Sequence, residues 1–419
     1  MATRNPDSQY RSSARRPTGE RFLGQDIRTQ VGIIGAGPAG MFLALLLQRN
    51  GIDSIVVEQR DRPYVEGRVR AGVLEQSTVE VMRELGIAHR LILEGLVHEG
   101  TNLAIDGRVF RVDLAALTGG KTVTVYGQQE VMRDLFAAGE QRGIPIMWNS
   151  AEVTLTELEG RAALISFRQA EEDKSIRCDY VVGCDGFHGV SRRSLPPSVL
   201  RTFERVYAFG WLGILAEVPP ADHELIYANH ERGFALASMR SLNRSRYYIQ
   251  CAADEDTSNW PDDRFWDELC LRLGPEAGAK VTRGPSFEKS VAPLRSFVAE
   301  PMRWQRLFLA GDAAHIVPPT GAKGVNLAVA DVRVLADALA HYYRRGASDR
   351  LDDYSRIALE RVWKAERFSW WFTSITHRFP DMDGFARRLQ VAELEYIQGS
   401  QAAQRVLAEN YVGLPMALS

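Results

Sequence analysis

Cysteine is scarce: the 419 residues include four, Cys178, Cys184, Cys251 and Cys270, and no two form a Cys-x-x-Cys pair. That excludes a disulfide framework, a zinc pattern and a redox dithiol, and it fits a reducing cytosol. Long apolar runs are missing too. The stretch Met41 to Leu47 is among the longest, far short of the roughly 20 residues that span a membrane. Neither sign of charge dominates. The 51 Lys and Arg nearly cancel the 53 Asp and Glu, leaving a formal charge of −2. A nucleic-acid binder needs an excess of cations to displace phosphate counterions, so that class is disfavoured. There is no internal repeat and no low-complexity linker. What remains is a globular chain, expected in the cytoplasm, with 45 % hydrophobic residues and length for about two to three domains of roughly 150 residues. Such a chain buries well over half of its unfolded surface, enough for an internal ligand site.

Residues 1–27 carry no hydrophobic period, and no apolar core follows their positive charges; they read as a disordered N-terminal extension, not a secretory signal. Order is expected from Gln30. Val31-Gly32-Ile33-Ile34 has the continuous apolar character of a buried strand, Met41 to Arg49 that of a helix, and Ser54 to Glu58 that of a second strand. This βαβ opening predicts a parallel sheet. Asp179 to Val182 and Arg306 to Ala310 read as further strands, each running into a glycine turn. Between them, Glu224 to Tyr227 and Tyr247 to Gln250 read as strands of a separate, mainly antiparallel sheet. Helical patterns follow at 326–343, 354–376 and 385–409. The expected fold class is α/β in an α+β composite: a Rossmann-like nucleotide domain at 28–201 that returns at 292–343, an inserted substrate domain at 202–291, and a helical, interface-forming region at 344–419.

Gly35-Ala36-Gly37-Pro38-Ala39-Gly40 fits G-x-G-x-x-G between strand and helix. Gly35 permits the turn, Gly37 lets the backbone approach a pyrophosphate, and Gly40 lets helix and strand pack closely. The helix start offers unpaired N–H groups to the phosphates. Glu58, 18 residues after Gly40, stands where a carboxylate can accept from a ribose. The chain has one such fingerprint, whereas holding FAD and NAD(P)H on separate Rossmann units would take two. Either a nicotinamide dehydrogenase or a flavoprotein that meets its nicotinamide in passing remains. Two further segments bear on the choice: Val182 to Gly189, containing Asp185, and Leu309 to Asn326. In the second, Asp312 follows a strand end, where it can accept from polyol hydroxyls. A Pro- and Gly-rich loop then opens a helix at Lys323, Gly324, Val325 and Asn326, whose positive dipole end can stand beside the pyrimidine edge of a flavin.

Together these motifs resemble the FAD-dependent aromatic hydroxylases. More specific segments carry the resemblance from about residue 29 to the end: Gly67 to Gln76, Gly95 to Gly100, Lys121 to Gln128, Glu224 to Asn229, Phe234 to Arg240, Leu294 to Phe297, Trp363 to Trp371 and Glu409 to Pro415. The resemblance implies hydroxylation beside a phenol, of 4-hydroxybenzoate to 3,4-dihydroxybenzoate. NADPH reduces the bound FAD, O₂ adds, and the distal OH of a flavin hydroperoxide is transferred. Sister enzymes take other phenolic acids, so that alternative stays open beside a flavin-free dehydrogenase and a non-catalytic flavin sensor.

By the same resemblance Tyr227 contacts the phenol, Tyr411 stands next to it, and hydroxyls leading to His98 carry the proton to the surface, a task suited to histidine at neutral pH. A donor to the phenol oxygen favours its anion. Arg240 clamps the substrate carboxylate, with Ser238 and Tyr248 as hydroxyl donors and the Pro319 carbonyl meeting the substrate hydroxyl. Arg246 lies near the flavin and influences its movement; Arg70 and Gln128 are further cofactor contacts. Arg68, Arg70, His188 and Arg295 are expected to line a surface groove for the nicotinamide. Arg60, Arg62 and Tyr64 could hold a 2′-phosphate, which favours NADPH over NADH. No metal is expected. Family members are homodimers, and the C-terminal helices could supply the interface.

Overall fold

A computed structural model describes residues 27–68 and 72–415. The expected N-terminal extension lies outside the described residues except for Ile27, which opens the first strand; Arg70 also lies outside them. No helix of the described residues is long and apolar enough to cross a membrane.

The first sheet is built on five strands in parallel succession: Leu307–Leu309, Glu172–Gly183, Ile27–Ile34, Ser54–Val57 and Ile146–Met147. Val31 to Ile34 and all of Ser54–Val57 are buried, as a strand covered on both faces requires, which is why they read as unbroken apolar runs instead of alternating ones. The helix Pro38–Arg49 covers this sheet with Ala39 to Leu47 wholly buried. Its Pro38 sits in the first turn, where a missing N–H costs nothing and φ is already helical.

The second sheet runs in the order His315–Ile316, Ser286–Glu300, Arg201–Ala216, Arg244–Ala252, Ala235–Ser241, Ile226–Asn229, Gly100–Ile105 and Arg108–Asp113. It is antiparallel except where Ile226–Asn229 lies parallel to Gly100–Ile105. That hairpin, 100–113, comes from within the 28–201 segment and joins the substrate sheet. Gly100 to Ile105 is buried along its whole length, so it needs a strand on each side and cover on each face. The long strands Arg201–Ala216 and Ser286–Glu300 pair with one another, and the end of the latter pairs with His315–Ile316. They thereby join the substrate sheet to the loop that follows the nucleotide sheet.

Helices Gly324–Arg345 and Asp349–Thr376 follow. The expected single helix at 385–409 is two, Gly384–Gly399 and Gln401–Val412. Ser400 breaks it: its backbone is extended (φ −120°, ψ 111°) and its side chain accepts from the Ala403 N–H, starting a new helix. An N-cap serine after a glycine is a stop and a start in sequence. An aromatic core that includes Tyr207, Phe209, Trp211, Tyr227, Phe234, Phe372 and Tyr411 fills the space between the second sheet and these helices.

Candidate active site

The glycine loop is set by clearance. Gly35 has φ +100°, and a Cβ there would lie 2.4 Å from the Cys184 carbonyl oxygen. A Cβ on Gly40 would lie 1.9 Å from the Gly35 oxygen, whereas one on Gly37 would meet nothing within 4 Å. The turn is thus tight underneath and open at the middle glycine, where a diphosphate needs room. Glu58 braces it: its carboxylate accepts from the Ala36 N–H at 2.7 Å and the Arg60 N–H at 2.8 Å. A carboxylate offers about four lone-pair directions, so capacity for ribose hydroxyls remains.

Past the end of the strand Leu307–Leu309, Gly311 turns with φ +61° and presents Asp312 at the surface. Behind it, Asp331 is buried and accepts from the Gly311 N–H at 2.9 Å and pairs with His315 Nε2 at 2.6 Å. Asp331 is a positioning residue that sequence reasoning missed. Its signal was an acid set among Leu327 to Ala330 and Val332 in an apolar helix face. Asp185 turns inward: one carboxylate oxygen accepts from the Ser191 N–H at 2.9 Å, and the other is buried without a partner. Burial holds its carboxyl above the ordinary carboxylate pKa.

Lys323 and Asn326 also point inward. Lys323 Nζ donates to Glu75 at 2.6 Å and to the Tyr411 carbonyl at 3.0 Å. Arg361, another residue that sequence reasoning missed, reaches the same Glu75 carboxylate at 3.0 Å. Asn326 makes four hydrogen bonds, to Glu75, Thr78, Val73 and Ala322. Both side chains are occupied in building the wall, so what these positions can offer a cofactor is the main chain at the helix start. There Gly324 is exposed, and a Cβ on it would meet nothing within 4 Å. An open glycine cradle, a surface acid past a strand end and an open helix start fit an extended flavin dinucleotide. Gln128 begins the helix Gln128–Gln141 and is half-buried.

Two tyrosines meet inside the aromatic core. Tyr227 Oη and Tyr411 Oη are 2.8 Å apart, and both residues are buried. Burial pushes Tyr227 well above the ordinary phenol pKa, and Tyr411 to about 12. On the neighbouring strands, Ser238 stands opposite Arg246 and donates to its carbonyl at 2.7 Å. Arg246 pairs with Glu288 at 2.8 Å and lies 5.1 Å from the Tyr248 ring centre. Burial works against its charge, but Tyr248 and Glu288 outweigh burial and raise its pKa. Arg240 differs. It donates to the Met239 carbonyl at 3.0 Å and interacts with Tyr248, its Nε is buried without a partner, and burial holds its pKa below the usual guanidinium value. A guanidinium in that setting is prepared for an anion. The Pro319 carbonyl accepts from the Ala322 N–H at 2.9 Å and keeps a second lone pair.

His98 differs from expectation in its surroundings. It is fully buried at the end of the strand Leu96–His98, with neither ring nitrogen partnered, and burial pushes its pKa down to about 4. The pairing of Leu96–His98 with Val123–Val125 places it there. Such an imidazole is neutral at pH 7.

The basic residues fall into two groups. Arg60 and Arg68 lie 5.1 Å and 5.7 Å from the exposed Tyr64 ring centre, whereas Arg62 turns away to Glu66 and Glu140. His188 is exposed and packs edge-on against Phe187, and the Arg295 guanidinium lies 4.5 Å from that same ring. Arg192, which follows the Val182 to Gly189 segment, covers the ring too, at 4.6 Å.

Residues 28–369 match the family model described as an FAD binding domain. The chain is 53 % identical to p-hydroxybenzoate hydroxylase of Acinetobacter baylyi over 391 residues, covering 93 % of this chain and 96 % of that one. The chain belongs to the FAD-dependent aromatic hydroxylases. Rifampicin monooxygenase of Streptomyces venezuelae is 26 % identical over 392 residues, covering 90 % of this chain and 74 % of its own. Among solved structures, p-nitrophenol 4-monooxygenase of Pseudomonas putida superposes with TM-score 0.79 at 18 % identity over 93 % of this chain and all of that one, a likeness of fold. For an aromatic hydroxylase of this family, the bound cofactor is FAD, and NAD(P)H is the co-substrate.

Proposed function

We propose that the protein hydroxylates 4-hydroxybenzoate beside its phenol oxygen to give 3,4-dihydroxybenzoate, using NADPH and O₂. The observation that carries this reading is the 2.8 Å contact between the buried Tyr227 and Tyr411, beside a sheet that offers the Arg240 guanidinium, whose Nε has no partner. The 53 % identity to p-hydroxybenzoate hydroxylase supports the substrate.

Reduced FAD, when bound, supplies the activated oxygen that reaches the ring. The chain's residues prepare the acceptor. Arg240 binds the carboxylate, with Ser238 and Tyr248 beside it, which fixes the ring carbon presented to the cofactor. Tyr227 donates to the phenol oxygen and favours its anion, making the adjacent carbon electron-rich. With that single proton given to the phenol oxygen, Tyr227 accepts from Tyr411, and the pair continues the proton path inside the protein toward His98. The Pro319 carbonyl limits where the substrate hydroxyl sits. The close-packed aromatic residues exclude water.

Gly35, Gly37, Gly40 and Glu58 would hold the nucleotide, and Asp185, Asp312, Gln128, Arg246 and the main chain of 323–326 would serve its flavin half. His188 and Arg295 would receive the nicotinamide, and Arg60, Tyr64 and Arg68 its 2′-phosphate. The division of labour keeps 28–201 with 292–343 for FAD and 202–291, joined by the 100–113 hairpin, for substrate. The exposed Phe385, Leu389 and Tyr396 of the C-terminal helices support a homodimer, and the unpaired cysteines fit a cytoplasmic setting.

The test is NADPH oxidation by the FAD-loaded protein over a panel of hydroxybenzoates, with product and hydrogen peroxide both measured. Stoichiometric 3,4-dihydroxybenzoate from 4-hydroxybenzoate is expected. Better-coupled turnover of another phenolic acid would replace the substrate, and flavin without any ligand-stimulated oxidation would remove the hydroxylase reading.

A further inference from the structure

Helix Asp349–Thr376 ends against the substrate sheet at His377. His377 is fully buried, and Trp211 Nε1 donates to its Nε2 at 2.7 Å, with the two ring planes 3° apart. That alignment directs the indole N–H along the in-plane lone pair of the imidazole. Nε2 is therefore the acceptor, and the proton is on Nδ1, which lies 2.9 Å from Thr376 Oγ1 and 3.2 Å from the Thr373 carbonyl. Phe209 and Phe234 stack on the imidazole at 5.0 Å and 4.1 Å. Nothing in the roles assigned above uses this polar contact inside an apolar core, and a buried polar pair with good geometry fixes the parts it joins.

Its two ends lead to opposite walls of the chamber. On the sheet side, Trp211 packs on Tyr248 at 5.0 Å and on Phe234 at 5.0 Å, and Phe234 leans on Tyr227 at 6.2 Å. On the helix side, Thr373, one turn before His377, holds Thr320 of the Pro319–Gly321 turn by a hydroxyl contact of 2.8 Å. One route of fixed contacts therefore runs from the two substrate tyrosines, through Trp211 and His377, to the loop that carries the Pro319 carbonyl.

We propose that Trp211 and His377 are positioning residues that set the gap between the tyrosine wall and the Pro319 loop, and with it the fit of the phenolic ring. The inference rests on the hydroxylase reading for its substrate measurement and on a ligand-free measurement for its independence.

In the FAD-loaded enzyme, Trp211→Phe keeps an aromatic ring in the stack and removes the donor. KM for 4-hydroxybenzoate is expected to rise about fivefold, the worth of one neutral hydrogen bond, with a smaller change in kcat and more NADPH diverted to peroxide. His377→Leu should reproduce this, the double variant should be no worse than either single one, and His377→Gln, which retains an acceptor, should keep KM near the parent value. Unchanged KM and coupling in Trp211→Phe, or additive losses in the double variant, overturn the proposal. Without any substrate, Trp211→Phe and Thr320→Val should be non-additive in thermal unfolding, since both cut the same route. Additivity there overturns it even if the substrate proves to be a different phenolic acid.

Discussion

Tyr227 and Tyr411, 184 positions apart in the chain, bring their phenol oxygens to 2.8 Å in a site closed to solvent. Burial keeps both protonated at neutral pH, Tyr411 up to about 12 and Tyr227 higher than an ordinary phenol. The pair therefore has a proton to donate to a third oxygen. Tyr227→Phe removes that donor. A hydrogen bond to a charged group is worth about 1.5–3 kcal/mol, so the pKa of bound 4-hydroxybenzoate should rise by about 1–2 units. An absorbance titration of the enzyme–ligand complex reads this directly; an unshifted phenol would remove Tyr227 from activation.

Arg240→Met should separate binding from stability. Loss of the carboxylate clamp should raise KM about 10- to 100-fold, by the same charged-hydrogen-bond magnitude. The ligand-free protein should melt no lower than the parent, because the guanidinium carries a desolvation cost without an ion-pair partner to offset it. A strong fall in Tm with little change in KM would make Arg240 a structural residue.

Glu366 offers a pH test. It is buried beside Ser296 and the Phe297 backbone, and burial raises its pKa from an ordinary 4.5 to about 7. Between these values the unfolded chain has released its proton and the folded protein has kept it, so this group costs stability progressively as pH rises from about 4.5 to 7. Glu366→Gln should therefore gain stability over the parent across that window, by up to about 3 kcal/mol, and level off above it. Urea unfolding at pH 4.5 and pH 8 measures the difference. An equal effect at both pH values would mean that the carboxyl titrates normally.

His98 has the opposite sign. Burial lowers its pKa from 6.5 to about 4, so it contributes stability above pH 6.5 that is lost as the pH falls toward 4. His98→Gln should flatten that acid limb in the same unfolding experiment, and a variant as acid-sensitive as the parent would contradict the burial.

For the coenzyme, Arg60→Ala and Arg68→Ala should each narrow the kcat/KM preference for NADPH over NADH by about two- to fivefold, the range of an exposed ion pair. Arg62→Ala should change it little, since Glu66 and Glu140 already occupy that guanidinium. The reverse pattern would shift phosphate recognition to Arg62.

Most of the nucleotide half is legible in the chain itself. Gly35 and Gly40 answer to contacts within a few residues or across adjacent strands, and a positive φ or a missing Cβ is a requirement of local backbone geometry. The parallel strands follow for the same reason, from short apolar runs closed by glycine. The residues of the chamber also carry their family resemblance in contiguous segments, so Tyr227, Arg240 and Tyr411 could be named before any coordinates.

What each side chain touches was not legible. Lys323 and Asn326 stand at the expected helix start, yet Glu75, some 250 positions earlier, draws both inward. Arg62 and Arg60 look alike in sequence, but Glu140, 78 positions on, claims only the first. His98 was expected at the end of a proton route, but that its ring is buried was decided by strand pairing, and the hairpin 100–113 crossed to the other sheet. The sequence alone determined where the backbone must turn, run straight or leave room, because those demands are met by neighbours in the chain. Only the tertiary structure decided which charged and polar groups are satisfied and which, like Arg240, are kept waiting, because desolvation and pairing depend on residues that folding brings together.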